Sequence, residues 1–378
     1  MSSLRLPTAL PMPQAAPGTA PLLPSLTGLR WVTAVMIFGF HILVVRYFAD
    51  PAAMPWMGAF TGGRSGVTMF FVLSGFVLAW GHVAGRSTRS FYIRRLARVY
   101  PLHLVGIVLA LVVAATLVPS IRTDGPVPLA ANVLLVNPWS RDWWQAGNPV
   151  SWSLACEAFF YLLFPVLMSL LSGRSARTLG LVVVGCLAVA LLAPGIGAAS
   201  PLPMDGDSTP LLRLPEFVIG MAAAVLMREH RWAPPRLRAA VLLAVVGYAA
   251  SILAMLPAND GSWIQPGHVV EVGAYALLIA SLAHVDARGG RTFLAGPRWQ
   301  VLGQVSFAFY LVHVLVIWSV SSPWPDGQPV LPWPEATALM LCAFLLALSL
   351  AWILHRYVEI PAQRLVMRLD RRVRVRVA

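Results

Sequence analysis

Charged and titratable side chains lie inside some of the most apolar stretches of this chain. Arg30 and His41 are eleven positions apart in one such stretch. In an α-helix, eleven residues return a side chain to within ~20° of the same face and displace it by about 16 Å. A charged group at the centre of a bilayer costs roughly 2.5–3.5 kcal/mol, so each one is a functional candidate.

Two further stretches bring ionisable groups to a similar predicted depth. Glu157 lies about eight residues, or roughly 12 Å, from the predicted outer end of its helix, close to the depth predicted for His41. Arg213 and Glu216 form an i,i+3 pair in another stretch. A histidine and a carboxylate at one depth suit a base and its orienting partner, whereas interhelical hydrogen bonds and a structural ion pair are the alternatives. The spacing predicts a polar intramembrane site without naming its reaction.

The composition explains why these residues are expected on membrane-spanning helices. Of the 378 residues, 58% are hydrophobic and 11% are charged, whereas soluble domains carry about 25% charged residues. The apolar blocks are about 20 residues long, which matches a hydrocarbon core of ~30 Å. We therefore predict an all-α, polytopic transmembrane bundle of about ten helices. Their predicted spans are 28–48, 65–84, 99–119, 149–171, 178–198, 210–228, 236–256, 267–285, 301–321 and 333–355.

The arginines indicate the orientation of this bundle. The chain has 28 Arg, no Lys and a net charge of +13, and the arginines lie between the apolar blocks, which argues against a nucleic-acid partner. Placing the N-terminus inside assigns 23 arginines to the inner side. The outer side keeps Arg46, Arg64, Arg122, Arg141 and Arg213. This asymmetry predicts that both termini are cytoplasmic.

Two terminal regions are predicted to lie outside the bundle. Residues 1–27 hold six prolines and little charge, which predicts a flexible cytoplasmic tail before a transmembrane domain at 28–357. Residues 358–378 form a basic cytoplasmic tail, either attached to anionic lipid or a simple stop-transfer flank. The three cysteines lie in apolar blocks and offer no disulfide framework and no zinc spacing, so we predict no metal site.

Six strings carry a more specific signal. They are SLTGLRWVTAVMIFGFH at 25–41, GRSGVTMFFVLSGF at 63–76, FYIRRLARVYP at 91–101, SWSLACEAFFYLLFP at 151–165, SFAFYLVH at 306–313 and VEIP at 358–361. In this order they resemble the acyltransferase 3 family, whose members are integral-membrane O-acyltransferases. One string alone is weak evidence, but six in family order across nearly the whole chain are specific.

The resemblance implies roles for five residues. His41 would be the essential base, and Arg30 a required partner in the same helix. Arg95 and Arg98 match the family's Arg-x-x-Arg and would hold the phosphates of acyl-CoA, with Arg94 as a substitute. Acyl-CoA would then be a co-substrate, and no cofactor would be bound permanently. The charge asymmetry independently places these arginines on the cytoplasmic side, where acyl-CoA is found.

Transfer to a hydroxyl also needs a correctly protonated base and donors for the oxyanion. Glu157 is expected to fix the tautomer of His41, and an acyl-histidine intermediate stays open. Candidate oxyanion or acceptor contacts, each with helix packing or capping as its alternative role, are Ser74, Ser151, Ser153 and the turn at 63–66.

Other histidines and tryptophans receive structural interpretations. His313, about 15 Å into its predicted helix, is interpreted as a packing contact. Trp139, Trp143 and Trp144 in the outer loop at 120–148 are interpreted as interfacial belt residues, with a platform for the acceptor as the alternative.

The expected function is transfer of an acetyl or short acyl group from acyl-CoA to a hydroxyl of a saccharide, a cell-envelope glycan or a macrolide-type metabolite. The expected location is the bacterial cytoplasmic membrane, with the lipid bilayer and the acceptor as partners and no prediction for the oligomeric state. A proton-coupled transporter is the alternative, but the chain lacks the internal repeat that many transporters show. A non-catalytic scaffold is disfavoured by the intact set of polar residues.

Overall fold

The computed structural model describes residues 21–50, 57–85, 87–121, 123, 125–200, 208–253 and 266–377. The expected N-terminal tail therefore lies mostly outside the described residues, as do Arg86 and Arg122. The described residues contain helices and no strand, apart from an isolated β-bridge between Phe48 and Leu331. The predicted all-α class is confirmed.

Thirteen α-helices form the described part of the chain. They are α1 (Pro24–Val44), α2 (Gly58–Thr61), α3 (Gly66–Trp80), α4 (Thr88–Thr116), α5 (Pro126–Val133), α6 (Ser151–Leu171), α7 (Ala176–Ala199), α8 (Pro210–Glu229), α9 (Leu237–Leu253), α10 (Pro266–Ala287), α11 (Pro297–Ser321), α12 (Trp333–Leu354) and α13 (Ile360–Val377). Among the described residues, nine helical spans are long and apolar enough to cross a membrane, and α9 is apolar but shorter. This confirms a transmembrane bundle, while the cytoplasmic position of the termini stays a prediction.

Each of the ten predicted spans overlaps one of these helices, but several boundaries differ. α4 begins at Thr88, eleven residues before the predicted start at 99, because the arginine-rich string FYIRRLARVYP is itself helical. Arginine is a good helix former, so hydropathy locates the apolar block rather than the helix. α1 begins at Pro24, inside the predicted tail, with proline in the first turn where its missing N–H is harmless.

The bundle has an arginine-rich end, at which α1 begins and α3 ends, and an opposite end, at which α1 ends and α3 begins. At the arginine-rich end, a π-helical turn at His355–Glu359 joins α12 to α13. Glu359 is buried there and pairs with His355 at 2.7 Å. The described part of the predicted basic tail is helical, because most of it forms α13. This helix packs against α4.

Two reciprocal glycines bring α3 and α8 into backbone contact. A Cβ on Gly75 would overlap the carbonyl oxygen of Phe217, and a Cβ on Gly220 would overlap that of Val72. Small residues allow helices to approach closely in membranes, where packing rather than the hydrophobic effect drives association. This crossing fixes α8, and with it Arg213, against the helix that carries Thr68.

Gly75→Ala is therefore expected to destabilise the protein by about 1–3 kcal/mol, because the added methyl group forces two backbones apart. Thermal unfolding of purified protein in detergent measures this loss. Gly180→Ala in α7 is the matched control, since nothing lies within 4 Å of its Cβ position. Equal stability of Gly75→Ala and Gly180→Ala would contradict this packing.

Candidate active site

A cavity of about 660 Å³ opens at the end of the bundle opposite the arginine-rich end. We call it the His41 cavity, because His41 near the end of α1 lines its wall. Its other polar lining residues include Arg213, His268 and Glu271, from the first turn of α8 and the first two turns of α10. His41, Arg213 and Glu271 therefore line an open cavity rather than a packed contact between helices.

His41 contacts a second histidine. Its Nδ1 lies 2.9 Å from the carbonyl oxygen of Ile37 and 3.1 Å from Nε2 of His313. His313 is fully buried, and its own Nδ1 lies 2.7 Å from the carbonyl oxygen of Tyr310. The interpretation of His313 as a packing contact is incomplete, because its ring nitrogen points at the candidate base.

Glu157 is not the partner of His41, contrary to the expectation from matching depth. Its Oε2 accepts a hydrogen bond from the Tyr161 hydroxyl at 2.9 Å, and it lines a small cavity of about 50 Å³ with Arg30. α6 begins at Ser151, level with the His41 cavity, so Glu157 lies about 9 Å further towards the arginine-rich end. The expected carboxylate–imidazole pair is therefore wrong.

Arg30, Arg95, Arg98, Glu157 and Tyr161 form what we call the inner cluster. Arg30 has Arg98 and Glu157 as electrostatic neighbours, and Arg95 has Tyr161 and Arg98. The Arg95 guanidinium lies 5.8 Å from the Tyr161 ring centroid, and within the described residues its buried Nε has no hydrogen-bond partner. The structure thus brings the predicted Arg-x-x-Arg pair together with Arg30.

Arg94 is held differently from its neighbours. It donates a hydrogen bond to the Ser90 hydroxyl one turn earlier in α4. It is therefore engaged within its own helix, while Arg95 faces the inner cluster.

Tyr310 lies between the inner cluster and the His41 cavity. Its side chain lines both the His41 cavity and the small cavity that contains Arg30. Its hydroxyl is 2.6 Å from Oγ of Ser153, which also lines the small cavity. Tyr310 was not identified from the sequence, although the string SFAFYLVH contains it.

The three candidate serines occupy different environments. Ser74 lies near the Tyr161 hydroxyl, beside the inner cluster. Ser151 donates its hydrogen to the carbonyl oxygen of Asn148 at 2.6 Å and accepts from Asn132 at 2.5 Å, so this proton is not available to an oxyanion. Of the three, Ser153 lines the small cavity next to Tyr310, on the side of the His41 cavity.

The turn at 63–66 serves close packing rather than an identified oxyanion contact. A Cβ on Gly63 would overlap the carbonyl oxygen of Met36, and one on Gly66 would press on Ile37. The turn therefore lets α1 approach the start of α3. It also places Ser65 in the wall of the His41 cavity.

The predicted i,i+3 ion pair forms at the side of the His41 cavity. Arg213 Nη1 lies 2.9 Å from Oε1 of Glu216, His268 Nε2 is 3.0 Å from the same oxygen, and Arg213 Nη2 donates to Thr68 at 2.9 Å. Glu271 lies in the same wall and is buried, and its Oε1 has no partner among the described residues. Glu271 was not identified from the sequence.

Tryptophans form much of the remaining wall. Trp144, Trp152 and Trp318 line the His41 cavity, and the rings of Trp144 and Trp152 meet edge to face at 6.0 Å. Trp143 lines an adjoining cavity of about 310 Å³ that shares Trp144 and Trp318 with the first, whereas Trp139 packs on Phe159. Among the described residues, no group of His, Cys, Asp and Glu is arranged to hold a metal ion.

Comparison with known families decides what kind of protein holds this site. The family model described as an acyltransferase domain, that of acyltransferase 3, matches residues 23–352. The chain belongs to this family. It is therefore a multi-pass membrane protein of an acyltransferase family, as the six strings indicated.

Individual relatives agree with this membership. The chain is 34% identical to the acyltransferase MdmB of Streptomyces mycarofaciens, over 92% of this chain and 93% of that protein. It is 24% identical to the O-acetyltransferase OatA of Staphylococcus aureus, over 90% of this chain and 57% of that protein. The chain spans a little over half the length of the staphylococcal relatives it matches. No solved structure matches it.

In this acyltransferase, Arg213→Met is expected to destabilise the fold by about 3–5 kcal/mol, because it leaves the buried Glu216 carboxylate without its guanidinium. The double variant Arg213→Met with Glu216→Gln is expected to recover part of that loss, since no unpaired charge remains. The amount of folded protein after graded heating, followed by size-exclusion chromatography, measures both. A double variant less stable than Arg213→Met would contradict a buried ion pair.

Proposed function

We propose that this acyltransferase transfers an acetyl or short acyl group from acyl-CoA to a hydroxyl of a saccharide, cell-envelope glycan or macrolide-type metabolite, with His41 as the general base. The observation that carries the proposal is the position of His41 in a cavity that Tyr310 connects to the arginines of the inner cluster. We place the protein in the bacterial cytoplasmic membrane with both termini inside. Membership in an acyltransferase family disfavours the transporter alternative.

The donor enters from the arginine-rich end in this proposal. Acyl-CoA carries several phosphates, and guanidinium groups bind phosphate through paired, charge-assisted hydrogen bonds. Arg95 and Arg98 supply two such groups, and Arg95 retains a buried N–H that has no partner among the residues the structure describes. The thioester end of the donor then extends past Arg30 towards Tyr310.

The acceptor occupies the His41 cavity. Its tryptophan walls suit the apolar face of a sugar or macrolide ring, and its carboxylate and guanidinium suit hydroxyl groups. The volume of about 660 Å³ lies in the range of small-molecule sites. The adjoining cavity beside Trp143 offers room for the remainder of a longer acceptor.

The chemistry joins the two substrates near His41 and Tyr310. The imidazole takes the hydroxyl proton as the oxygen attacks the thioester carbonyl, the C–S bond breaks, and the proton leaves on the CoA sulfur. The hydroxyls of Ser153 and Tyr310 lie between the two cavities, where donors to the oxyanion are needed, and one of them has to turn away from the other hydroxyl or from the Val150 carbonyl to donate. The products are an ester and free CoA.

His41→Ala is expected to lower acyl transfer by at least about 100-fold, because proton transfer by a positioned base contributes 10²–10⁴-fold. The measurement is transfer of label from radiolabelled acetyl-CoA to envelope or small-molecule material in membranes with matched expression. His230→Ala is the control, since this exposed histidine contacts the Arg174 carbonyl at the arginine-rich end. Equal transfer by wild type and His41→Ala would refute the base assignment.

Arg95→Gln and Arg98→Gln are each expected to weaken acyl-CoA binding about 10- to 100-fold, since a charged hydrogen bond contributes ~1.5–3 kcal/mol. Binding of CoA to purified protein in detergent measures the effect without turnover. Arg89→Gln, exposed in the first turn of the same helix, is the matched control for general charge. An equal loss in all three variants would indicate non-specific attraction instead of a phosphate site.

A further inference from the structure

We propose that His313 is a positioning residue that holds the proton of His41 on Nδ1 and so leaves the Nε2 lone pair as the base. This inference rests on the proposed function of His41. It replaces the expected Glu157 with a neutral partner from α11, a helix far away in the sequence.

The tautomer of His313 follows from its contact with the Tyr310 carbonyl. A carbonyl oxygen can only accept, and it lies 2.7 Å from Nδ1, so Nδ1 of His313 carries a hydrogen. A neutral imidazole has one N–H, which leaves a lone pair on Nε2. That lone pair faces His41.

The tautomer of His41 follows in turn. Its Nδ1 faces two acceptors, the Ile37 carbonyl at 2.9 Å and the His313 Nε2 at 3.1 Å. A hydrogen on Nδ1 can be shared between both acceptors, whereas a lone pair on Nδ1 would face the lone pairs of the Ile37 oxygen and the His313 nitrogen. Nε2 of His41 is then unprotonated, and within the described residues the ring makes its hydrogen bonds through Nδ1 alone.

The opposite arrangement is unfavourable for a specific reason. For His313 to donate to His41, it would need either a lone pair against the Tyr310 carbonyl or a second hydrogen and a positive charge. His313 is 0% exposed, and its ring stacks on Phe309 with a centroid distance of 6.0 Å. A charge buried among aromatic rings without a carboxylate partner is costly.

His313 also acts after the proton has moved. When Nε2 of His41 accepts the hydroxyl proton, the ring becomes an imidazolium whose Nδ1–H still points at the His313 lone pair. In the Ser-His-Asp triad a carboxylate holds the tautomer and stabilises the imidazolium in this way. Here a neutral nitrogen does so, and no proton passes to His313.

Two nearly isosteric replacements separate a hydrogen-bonding role from packing. His313→Gln places an acceptor oxygen near the position of Nε2, whereas His313→Met fills similar volume without one. We expect His313→Met to lower kcat about 10- to 100-fold with an unchanged KM for acetyl-CoA, and His313→Gln to stay within a few-fold of wild type. Equal activity of the two variants, high or low, would overturn the proposal.

A second measurement reads the tautomer without turnover. Nitrogen-15 NMR of histidine-labelled protein in nanodiscs distinguishes N–H from unprotonated ring nitrogens, and comparison with His41→Ala assigns His41. We expect hydrogen on Nδ1 in wild type and His313→Gln, and a larger share of the Nε2–H tautomer in His313→Met, in which the Ile37 carbonyl is the remaining acceptor. Hydrogen on Nε2 in wild type would overturn the proposal. The expected tautomer together with full transfer by His41→Ala would instead refute the proposed function and leave the assignment of the His41 tautomer intact.

Discussion

Ionisable side chains inside this bundle must find their partners within the protein, because lipid offers none, and this constraint organises both polar regions. Arg213 is paired with Glu216, and Glu157 lies with Arg30 and accepts from Tyr161. The polar atoms that the protein leaves without partners are informative for the same reason. Within the described residues they include Nε of Arg95 and Oε1 of Glu271, in the inner cluster and in the wall of the His41 cavity. In the proposed reaction these are the two places that donor and acceptor occupy.

α1 connects the two regions. Its eleven-residue spacing sends Arg30 to the small cavity and His41 to the large one, with about 16 Å between their levels. Close glycine contacts hold this helix on both sides, at Gly63 against Met36 and at Gly303 against Thr27. Acyl-CoA, the donor in our proposal, has a comparable division, since its phosphates and its thioester lie at opposite ends of a pantetheine arm. A rigid α1 therefore suits a donor whose two ends must be recognised at once.

The sequence predicts the helices well because hydrocarbon imposes a length and a composition on each one. The prediction fails for helices that are not long apolar blocks. These are the helical arginine string of α4, the short α5 and the amphipathic α13. In the site, too, some contacts can be predicted from the sequence and others cannot. The Arg213–Glu216 pair is local to one helix turn and is visible from spacing, whereas a match in depth does not say which helices are neighbours or which faces they share. For that reason Glu157 was assigned to His41, and the true contact with His313 was missed.

His313 could nevertheless have been singled out in the sequence, because a histidine in an apolar helix is unusual. A neutral imidazole is also well suited to orient His41. The carboxylates of the two polar regions stand near a cation or a hydroxyl, as Glu216 does with Arg213 and Glu157 with Tyr161. A carboxylate beside His41 would need a further cation, because its charge would otherwise be uncompensated before the reaction begins. The His313 lone pair avoids that requirement, since it is neutral before the reaction and favourable once His41 becomes charged. In a hydrocarbon environment, a neutral partner can orient the base without a permanent charge that the bundle would have to balance.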